Sequence, residues 1–188
     1  MAETSKFTKS KSNKGTEKAG LSLLLTDARF QVPNLETKRR ILDLVGKSEA
    51  FGPQTFDTIM TPAPEPPVTE SNVDGLFLHL RLVEMKTTRK SIQDAALRGF
   101  FFGATEREYD MARTLGAQYL FAFVVLNSMN AYGRPFAVLL TLEEVEKRTQ
   151  KRRIQYQVNF RTDVQDSAPP GNSDWLVLFG TERDLPLA

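Results

Sequence analysis

The stretch from residue 76 to residue 86 has leucine at every second position up to Leu82 and then ends in Glu84 and Lys86. Apolar side chains with a period of two predict a β-strand. Because side chains at i and i+2 of a strand point to the same face, Glu84 and Lys86 should project together. A carboxylate can hold a hard divalent cation, and an amine beside it can orient a water or stabilise developing negative charge. The same pair is only a solvated ion pair on many strands, so the surrounding sequence has to decide between the two interpretations.

Composition removes several classes of site. The chain has 188 residues, of which 40% are hydrophobic and 26% charged, enough for one globular domain with a core. It contains no cysteine, which excludes disulfides and thiolate zinc sites, and His79 is its one histidine, which excludes a histidine metal cluster. We find no secretory signal and no apolar run of membrane-spanning length. We therefore predict no membrane partner and a cytoplasmic or nuclear location.

The first 19 residues are rich in lysine, serine and threonine and have almost no bulky apolar side chain. Such a segment cannot bury enough surface to fold alone. We therefore predict a disordered basic arm over residues 1–19 and a single domain over residues 20–188. The arm either contacts phosphates or is a free tail, and the sequence leaves both interpretations open.

Helix and strand signals alternate through the rest of the chain. Asn34 as N-cap and Gly46 as stop delimit one helix. Two more helices open with the capping-box spacing, at Thr105 and at Thr141. This order predicts an α/β fold with a central mixed β-sheet flanked by helices. The predicted strands are 55–61, 76–86, 119–126, 136–140, 154–160 and 175–179.

The strand that ends in Val83–Thr88 follows a strand with an acid, Asp57, and precedes a helix and a buried strand. This order resembles the restriction-endonuclease-like superfamily, called PD-(D/E)xK. More narrowly, the stretch from Phe101 to Tyr109, with Leu115–Tyr119 after it, is similar to a subgroup related to the nuclease-like domain of plant NO VEIN proteins. The resemblance covers roughly residues 36–130.

The resemblance implies a restriction-endonuclease-like fold and a Mg²⁺- or Mn²⁺-dependent endonuclease that hydrolyses phosphodiester bonds in DNA, in a restriction or defence role. In the family pattern, Asp57 and Glu84 would bind the metal ion, and Lys86 would position the attacking water or stabilise the phosphorus centre. Glu36, in the first helix of the pattern, is the candidate for a third ligand, although the helix dipole also favours a glutamate in a first turn. The chain departs from the pattern at Phe56, which stands where a proline often precedes the acid.

Basic side chains fit a DNA partner, because lysine and arginine contact phosphates without reading sequence. A solvated helix end would explain one or two of them but not five within the seven residues 147–153. Two alternatives stay open: a non-catalytic nucleic-acid-binding protein on the same fold, and an interaction module that uses Phe100–Phe102. A homodimer is expected if both strands are cut. The residues predicted to contact nucleic acid are Arg89, Lys90, Lys147, Arg148, Lys151, Arg152 and Arg153.

Asp74 competes with Asp57 as the partner of Glu84, since it is closer in sequence. If residues 76–86 form one strand, Asp74 lies about 33 Å from Glu84, at about 3.3 Å per residue. Two ligands of one Mg²⁺ must lie within a few ångströms of each other. We therefore interpret Asp74-Gly75 as a turn that starts the strand, and Asp57 as the partner on a neighbouring antiparallel strand.

Overall fold

The computed structural model describes residues 11–46, 50–64, 66–93, 95–127 and 134–149, and all of its elements lie in one compact unit, residues 1–150. The predicted strands at 154–160 and 175–179 lie outside the described residues, so the single domain over 20–188 stays a prediction. The helices are α1 (Lys11–Leu24), α2 (Leu35–Val45), α3 (Val73–Leu76), α4 (Glu106–Leu115) and α5 (Leu142–Arg148), with short 3-10 turns at Pro53–Thr55, Phe77–His79 and Gly116–Gln118. The strands are β1 (Phe30–Gln31), β2 (Thr58–Met60), β3 (Arg81–Thr88), β4 (Tyr119–Val125) and β5 (Phe136–Leu140).

The strands of the described part form one sheet in the order β1-β2-β3-β4-β5. β3 and β4 run parallel, and the other neighbouring pairs run antiparallel. A parallel pair needs a crossover connection, and the chain from β3 to β4 passes through α4. The predicted α/β fold with a mixed sheet flanked by helices is confirmed, and β3 lies at the centre of the sheet.

Helices cover both faces of this sheet, and the alternation along β3 assigns its side chains to one face or the other. Leu82 belongs to the larger buried cluster, which contains side chains of α2, α4 and α5. Val83 belongs to a smaller cluster with α1, and Met85 packs against it there. Glu84 and Lys86 follow Leu82 at a period of two and therefore face α2 and α4.

The helix ends predicted from capping residues are confirmed. Asn34 Oδ1 accepts a hydrogen bond from the backbone of the first turn of α2 at 2.8 Å, and Gly46 ends that helix with φ 74°. Thr105 and Thr141 each belong to a complete capping box, at the starts of α4 and α5. These three helices are therefore delimited by local signals that do not depend on the rest of the fold.

The predicted strand over residues 76–86 is wrong in its first half. α3 and a 3-10 turn occupy residues 73–79, and β3 begins at Arg81. Leu78, part of the period-two leucine pattern, is 83% exposed. Asp74 lies in the first turn of α3 and does not form a turn that opens a strand. The side chains that pack on the core follow the i, i+3, i+4, i+7 spacing of a helix face, which the leucine pattern conceals: Val73, Leu76, Phe77 and Leu80.

α1 begins at Lys11, within the arm predicted to be disordered over residues 1–19, and residues 1–10 lie outside the described residues. Leu24 in its last turn is buried against the sheet. Gly20 brings the helix so close to β3 that a Cβ at this position would lie 2.5 Å from Thr87 Oγ1. Because tertiary packing supplies most helical stability, the burial of Gly20 and Leu24 supports helix in the lysine-rich residues before them.

One further predicted strand differs from the structure, and the aromatic run considered as a partner contact is only partly exposed. β2 is shorter than the predicted strand 55–61, because Pro53–Thr55 forms a 3-10 turn and the pairing starts at residue 58. Phe100 and Phe102 pack edge-on against Phe123, with ring centroids 5.1 and 4.9 Å away. Phe101 is 82% exposed, so one ring of this aromatic run is accessible to a partner.

Candidate active site

Glu84 and Lys86 lie side by side on β3, as their spacing predicts. Glu84 is 6% exposed, and its Oε1 accepts a hydrogen bond from Lys86 Nζ at 2.8 Å. The same Nζ donates to Glu108 Oε2 at 2.8 Å. Lys86 therefore joins a carboxylate on β3 to a carboxylate on α4, and one positive charge lies between two negative ones.

Glu108 has two functions in this arrangement. It is the third residue of α4 and completes the capping box there, with Oε2 accepting a hydrogen bond from Thr105 N–H at 3.1 Å. The same oxygen accepts Lys86 Nζ, and the residue is buried. The capping contact fixes the carboxylate, and the carboxylate fixes the position of the amine.

Asp57 lies one residue before β2. Thr58 pairs with Val83 in the antiparallel register, so the next position places Asp57 opposite Glu84. Asp57 N–H donates to Val83 O at 2.9 Å, and Asp57 Oδ2 accepts from Met85 N–H at 2.8 Å. Just before β2 begins, the Asp57 carboxylate accepts the Met85 N–H of β3 in place of a backbone carbonyl of a neighbouring strand. The predicted antiparallel neighbour is confirmed: Asp57 lies opposite Glu84, and Glu84 in turn contacts Lys86.

The turn that leads to Asp57 is held by two side chains from other elements. Lys38 of α2 donates through Nζ to the carbonyl of Pro53 at 3.2 Å and to that of Phe56 at 2.6 Å. Tyr119, at the start of β4, donates its hydroxyl to the carbonyl of Thr55 at 2.5 Å. These bonds fix three carbonyl groups in the four residues before Asp57. They therefore fix the position of the backbone that carries Asp57.

Burial dominates the electrostatics of these residues. It raises the pKa of Glu84 to about 8, against the attraction of Lys86 and together with the negative charges of Asp57 and Glu108. Burial alone would lower the pKa of Lys86, but its contacts with the two glutamates outweigh burial and raise it. Burial lowers the pKa of Lys38, although Asp57 and Glu84 oppose that shift. With carboxylates in excess around Lys86, a further cation would relieve the repulsion among them.

Glu84 Oε2 is buried and has no hydrogen-bond partner among the described residues, and it is the one carboxylate oxygen in that condition there. A buried carboxylate oxygen without a partner is costly and is resolved by a proton, a water or a cation. Within the described ranges, no three His, Cys, Asp or Glu side chains are placed to hold a metal ion together. Mg²⁺, however, usually binds through one or two carboxylates and completes its coordination with waters and substrate phosphates. Asp57 and Glu84 fit that requirement.

Two carboxylates considered from the sequence lie apart from these contacts. Glu36 is exposed in the first turn of α2, where the helix dipole favours it. The α2 side chain that reaches the turn before Asp57 is Lys38. Asp74 forms an exposed ion pair with Arg40 of α2.

The basic residues predicted to contact nucleic acid occupy different parts of the structure. Arg89 and Lys90 are exposed just beyond β3. Lys147 forms an exposed ion pair at 2.6 Å with a glutamate one turn earlier in α5, and Arg148 donates to a backbone carbonyl at 3.4 Å. The rest of the predicted cluster lies outside the described residues: Lys151, Arg152 and Arg153. Contact of these residues with nucleic acid stays a prediction.

Sequence reasoning missed Lys38 and the second function of Glu108. The sequence suggests that Lys38 belongs to the charged face of α2, yet Lys38, Ile41 and Leu42 stand at i, i+3 and i+4, the spacing of one helix face. That spacing was the available signal. For Glu108, the capping-box spacing already explains a glutamate at this position. The sequence therefore contains no further signal for its contact with Lys86.

Comparisons of the chain with family models, curated proteins and solved structures found no match. No helix in the described part of the chain is long and apolar enough to cross a membrane.

Proposed function

We propose that this protein is a Mg²⁺-dependent DNA endonuclease, also active with Mn²⁺, on a restriction-endonuclease-like fold. The observation that carries the proposal is the position of Asp57 opposite Glu84, with Lys86 beside them on the same face of β3. Two carboxylates can hold a hard divalent cation, and an amine beside them can orient a water or stabilise developing negative charge on a phosphate. Glu84 Oε2, which has no hydrogen-bond partner among the described residues, supports the binding of a cation at this place.

Each residue of the cluster then has a task. Asp57 and Glu84 would hold the ion, which when bound lowers the pKa of a water and neutralises charge on the phosphate. Lys86 uses two of its three N–H groups on Glu84 and Glu108. The third, which has no acceptor in the described part of the chain, would donate to the attacking water or to a phosphate oxygen. Glu108 keeps the amine in that position.

A purely structural ion-pair cluster is the competing explanation. Buried ion pairs are often no more stabilising than apolar side chains of the same volume, because desolvation offsets the attraction between the charges. Glu84, Lys86 and Glu108 nevertheless lie together in the core, and one carboxylate oxygen is left without a partner among the described residues. Buried groups with strongly shifted pKa values concentrate at functional sites, which favours the catalytic explanation.

The test is incubation of supercoiled plasmid with the full chain in Mg²⁺, in Mn²⁺ and in EDTA. We expect cleavage with either metal and none in EDTA. Glu84→Gln and Lys86→Met should abolish it while thermal melting still shows a cooperative transition. Glu106→Gln, an exposed glutamate of the same helix turn as Glu108, is the control and should cleave like the natural chain. Full activity in the Glu84 or the Lys86 variant would overturn the assignment.

The second candidate is a non-catalytic nucleic-acid-binding protein on the same fold. It is favoured by the lack, among the described residues, of a third carboxylate placed with Asp57 and Glu84 for a metal. Binding of DNA without cleavage in either metal, unchanged by Glu84→Gln, would support this candidate against the endonuclease.

A two-fold dimer and a role in restriction or defence belong to the same proposal. Cutting both strands of a duplex is simplest with two copies of one site related by two-fold symmetry. Light scattering of the chain with and without a DNA duplex measures this directly, and a single chain per cleaved duplex would exclude the dimer.

A further inference from the structure

A cavity of about 350 Å³ lies between α2, the start of α4 and the chain at residues 50–53. Arg39 of α2 and Arg107 of α4 are part of its lining, and both are exposed. Among the described residues neither guanidinium has a hydrogen-bond or ion-pair partner. Leu42 and Phe51 add apolar surface to the same lining.

This cavity is joined to the candidate active site through two helices. Arg39 follows Lys38, which holds the turn before the aspartate and also bonds Pro53, a lining residue. Arg107 precedes Glu108, which holds the catalytic amine of the proposal. Because adjacent side chains of a helix point to different sides, each helix contributes one residue to the site and the next or preceding residue to the cavity.

We propose that this cavity binds the phosphodiester backbone of a nucleic-acid strand, next to the bond that the proposed endonuclease would cleave. Guanidinium groups present forked donors that match phosphate oxygens. Asp43 also lines the cavity, so its charged lining is two cations and one anion, a net positive charge. The volume is near the lower end of the about 300–1,000 Å³ found for ligand pockets, which suits a single nucleotide. The apolar surface of Leu42 and Phe51 suits a sugar or the face of a base.

The test compares two double variants of the full chain. Arg39→Gln with Arg107→Gln removes both guanidinium groups from the cavity. Arg40→Gln with Arg113→Gln removes two charges from the same two helices at positions outside the cavity lining, where the arginines pair with exposed aspartates. Fluorescence anisotropy with a labelled DNA strand, and with an RNA strand of the same sequence, measures binding over a range of salt in EDTA. Thermal melting establishes whether each variant is folded. If a double variant does not fold, its two single variants are measured in its place.

We expect each lost guanidinium to raise Kd by about tenfold, the loss of one charged hydrogen bond, and the double variant therefore to raise it by about a hundredfold. The dependence of log Kd on log salt should flatten by about 0.7 for each lost contact to a single strand. The control variant should keep both values near those of the natural chain. The strand that shows this selective loss, DNA or RNA, is the ligand of the cavity. Equal effects of the two double variants, or no effect of either on both strands, would overturn the inference.

This inference rests on the proposed function for its position but not for its binding chemistry, and the two fail separately. Plasmid cleavage by the natural chain, without selective loss of binding in the cavity variant, overturns the subsite and leaves the endonuclease. Selective loss of binding, without cleavage by the natural chain, retains the phosphodiester site and overturns the endonuclease.

Discussion

Glu84 is a carboxylate whose environment opposes its ionisation, although a lysine lies in contact with it. Burial is the largest cause of its raised pKa, and Asp57 and Glu108 add repulsion. Lys86 satisfies one of its oxygens and leaves the other without a partner among the described residues. A cation bound to Glu84 has to displace the proton that this environment favours. The affinity for Mg²⁺ should therefore increase as the pH rises.

At the scale of single residues, we predict that Asp57→Asn abolishes metal-dependent cleavage and that Asp74→Asn does not. Asparagine keeps an oxygen that can accept Met85 N–H, so the contact between the two strands survives while the charge is lost. Asp74 is exposed and pairs with Arg40 on the surface, so its substitution affects neither the core nor the site. Plasmid cleavage and circular dichroism measure both variants. Cleavage that depends on Asp74 and not on Asp57 would contradict the arrangement proposed for the site.

At the scale of elements, the same local signal occurs twice with different consequences. α4 and α5 both start with a threonine N-cap and a glutamate at the third helical position, and both capping boxes are complete. Glu108 is buried against Lys86, whereas Glu144 is exposed. The sequence predicts both helix starts equally well. Only the packing of α4 on β3 turns one of the two capping glutamates into a part of the candidate site.

We predict that Glu108→Gln impairs cleavage and stability, while Glu144→Gln changes both only slightly. Glutamine also completes a capping box, so both substitutions retain the helix start. At residue 108, however, the substitution removes one of the two carboxylates that Lys86 contacts in the core. Lys86 keeps Glu84 as a charged partner, so the expected cost is that of one charged hydrogen bond, about 1.5 kcal/mol. Urea unfolding and plasmid cleavage of the two variants provide the comparison. Equal unfolding midpoints would show that the negative charge of Glu108 adds nothing to stability beyond the cap.

The contact between α1 and β3 gives a second prediction at this scale. Gly20→Ala should destabilise the protein by about 1–3 kcal/mol, because the new Cβ would meet Thr87 Oγ1 at 2.5 Å and Met85 Sδ at 3.1 Å. Gly15→Ala in the same helix should stabilise it by up to about 1 kcal/mol, because alanine favours helix and the nearest atom, on Arg89, is 3.9 Å away. Urea unfolding of both variants tests this. A stabilising Gly20→Ala would mean that α1 does not pack closely on the sheet.

At the scale of the whole molecule, the sequence predicts best those elements that depend on interactions between residues close in the chain. Caps at Asn34, Thr105 and Thr141 delimit helices through hydrogen bonds within a few residues, and the structure confirms them. The apolar run of β4 is a buried strand as expected, since its composition leaves few alternatives. The predicted strand is wrong over residues 76–80, because their leucines satisfy the period of a strand while Leu76, Phe77 and Leu80 also satisfy the spacing of a helix face.

The candidate site was predictable only in part, because its contacts join residues that are distant in the chain. The spacing of Glu84 and Lys86 on one strand is local and could be read directly. The position of Asp57 depends on the register between β2 and β3 across a proline-rich connection. The contact of Glu108 with Lys86 depends on how α4 packs, and the contact of Lys38 with the turn before the aspartate depends on how α2 packs. No pattern within either helix specifies those distances.

The free energy of unfolding of the whole molecule should depend on pH through the ionisation of Glu84. Its pKa rises from 4.5 when unfolded to about 8 in the fold, so the folded state binds this proton more tightly than the unfolded state. The contribution of Glu84 to stability is therefore complete below about pH 4.5 and is lost as the pH rises to about 8, by at most about 1.4 kcal/mol per pH unit.

Glu84→Gln cannot ionise and does not suffer this loss. In urea unfolding in EDTA, the stability of this variant relative to the natural chain should increase between about pH 5 and pH 8 and then level off. Glu106→Gln, an exposed change on α4, should follow the natural chain throughout. If the free energies of unfolding of the natural chain and of Glu84→Gln change in parallel with pH, Glu84 ionises as readily in the fold as in water. Its second oxygen would then be hydrated, and it would give no support for a bound cation.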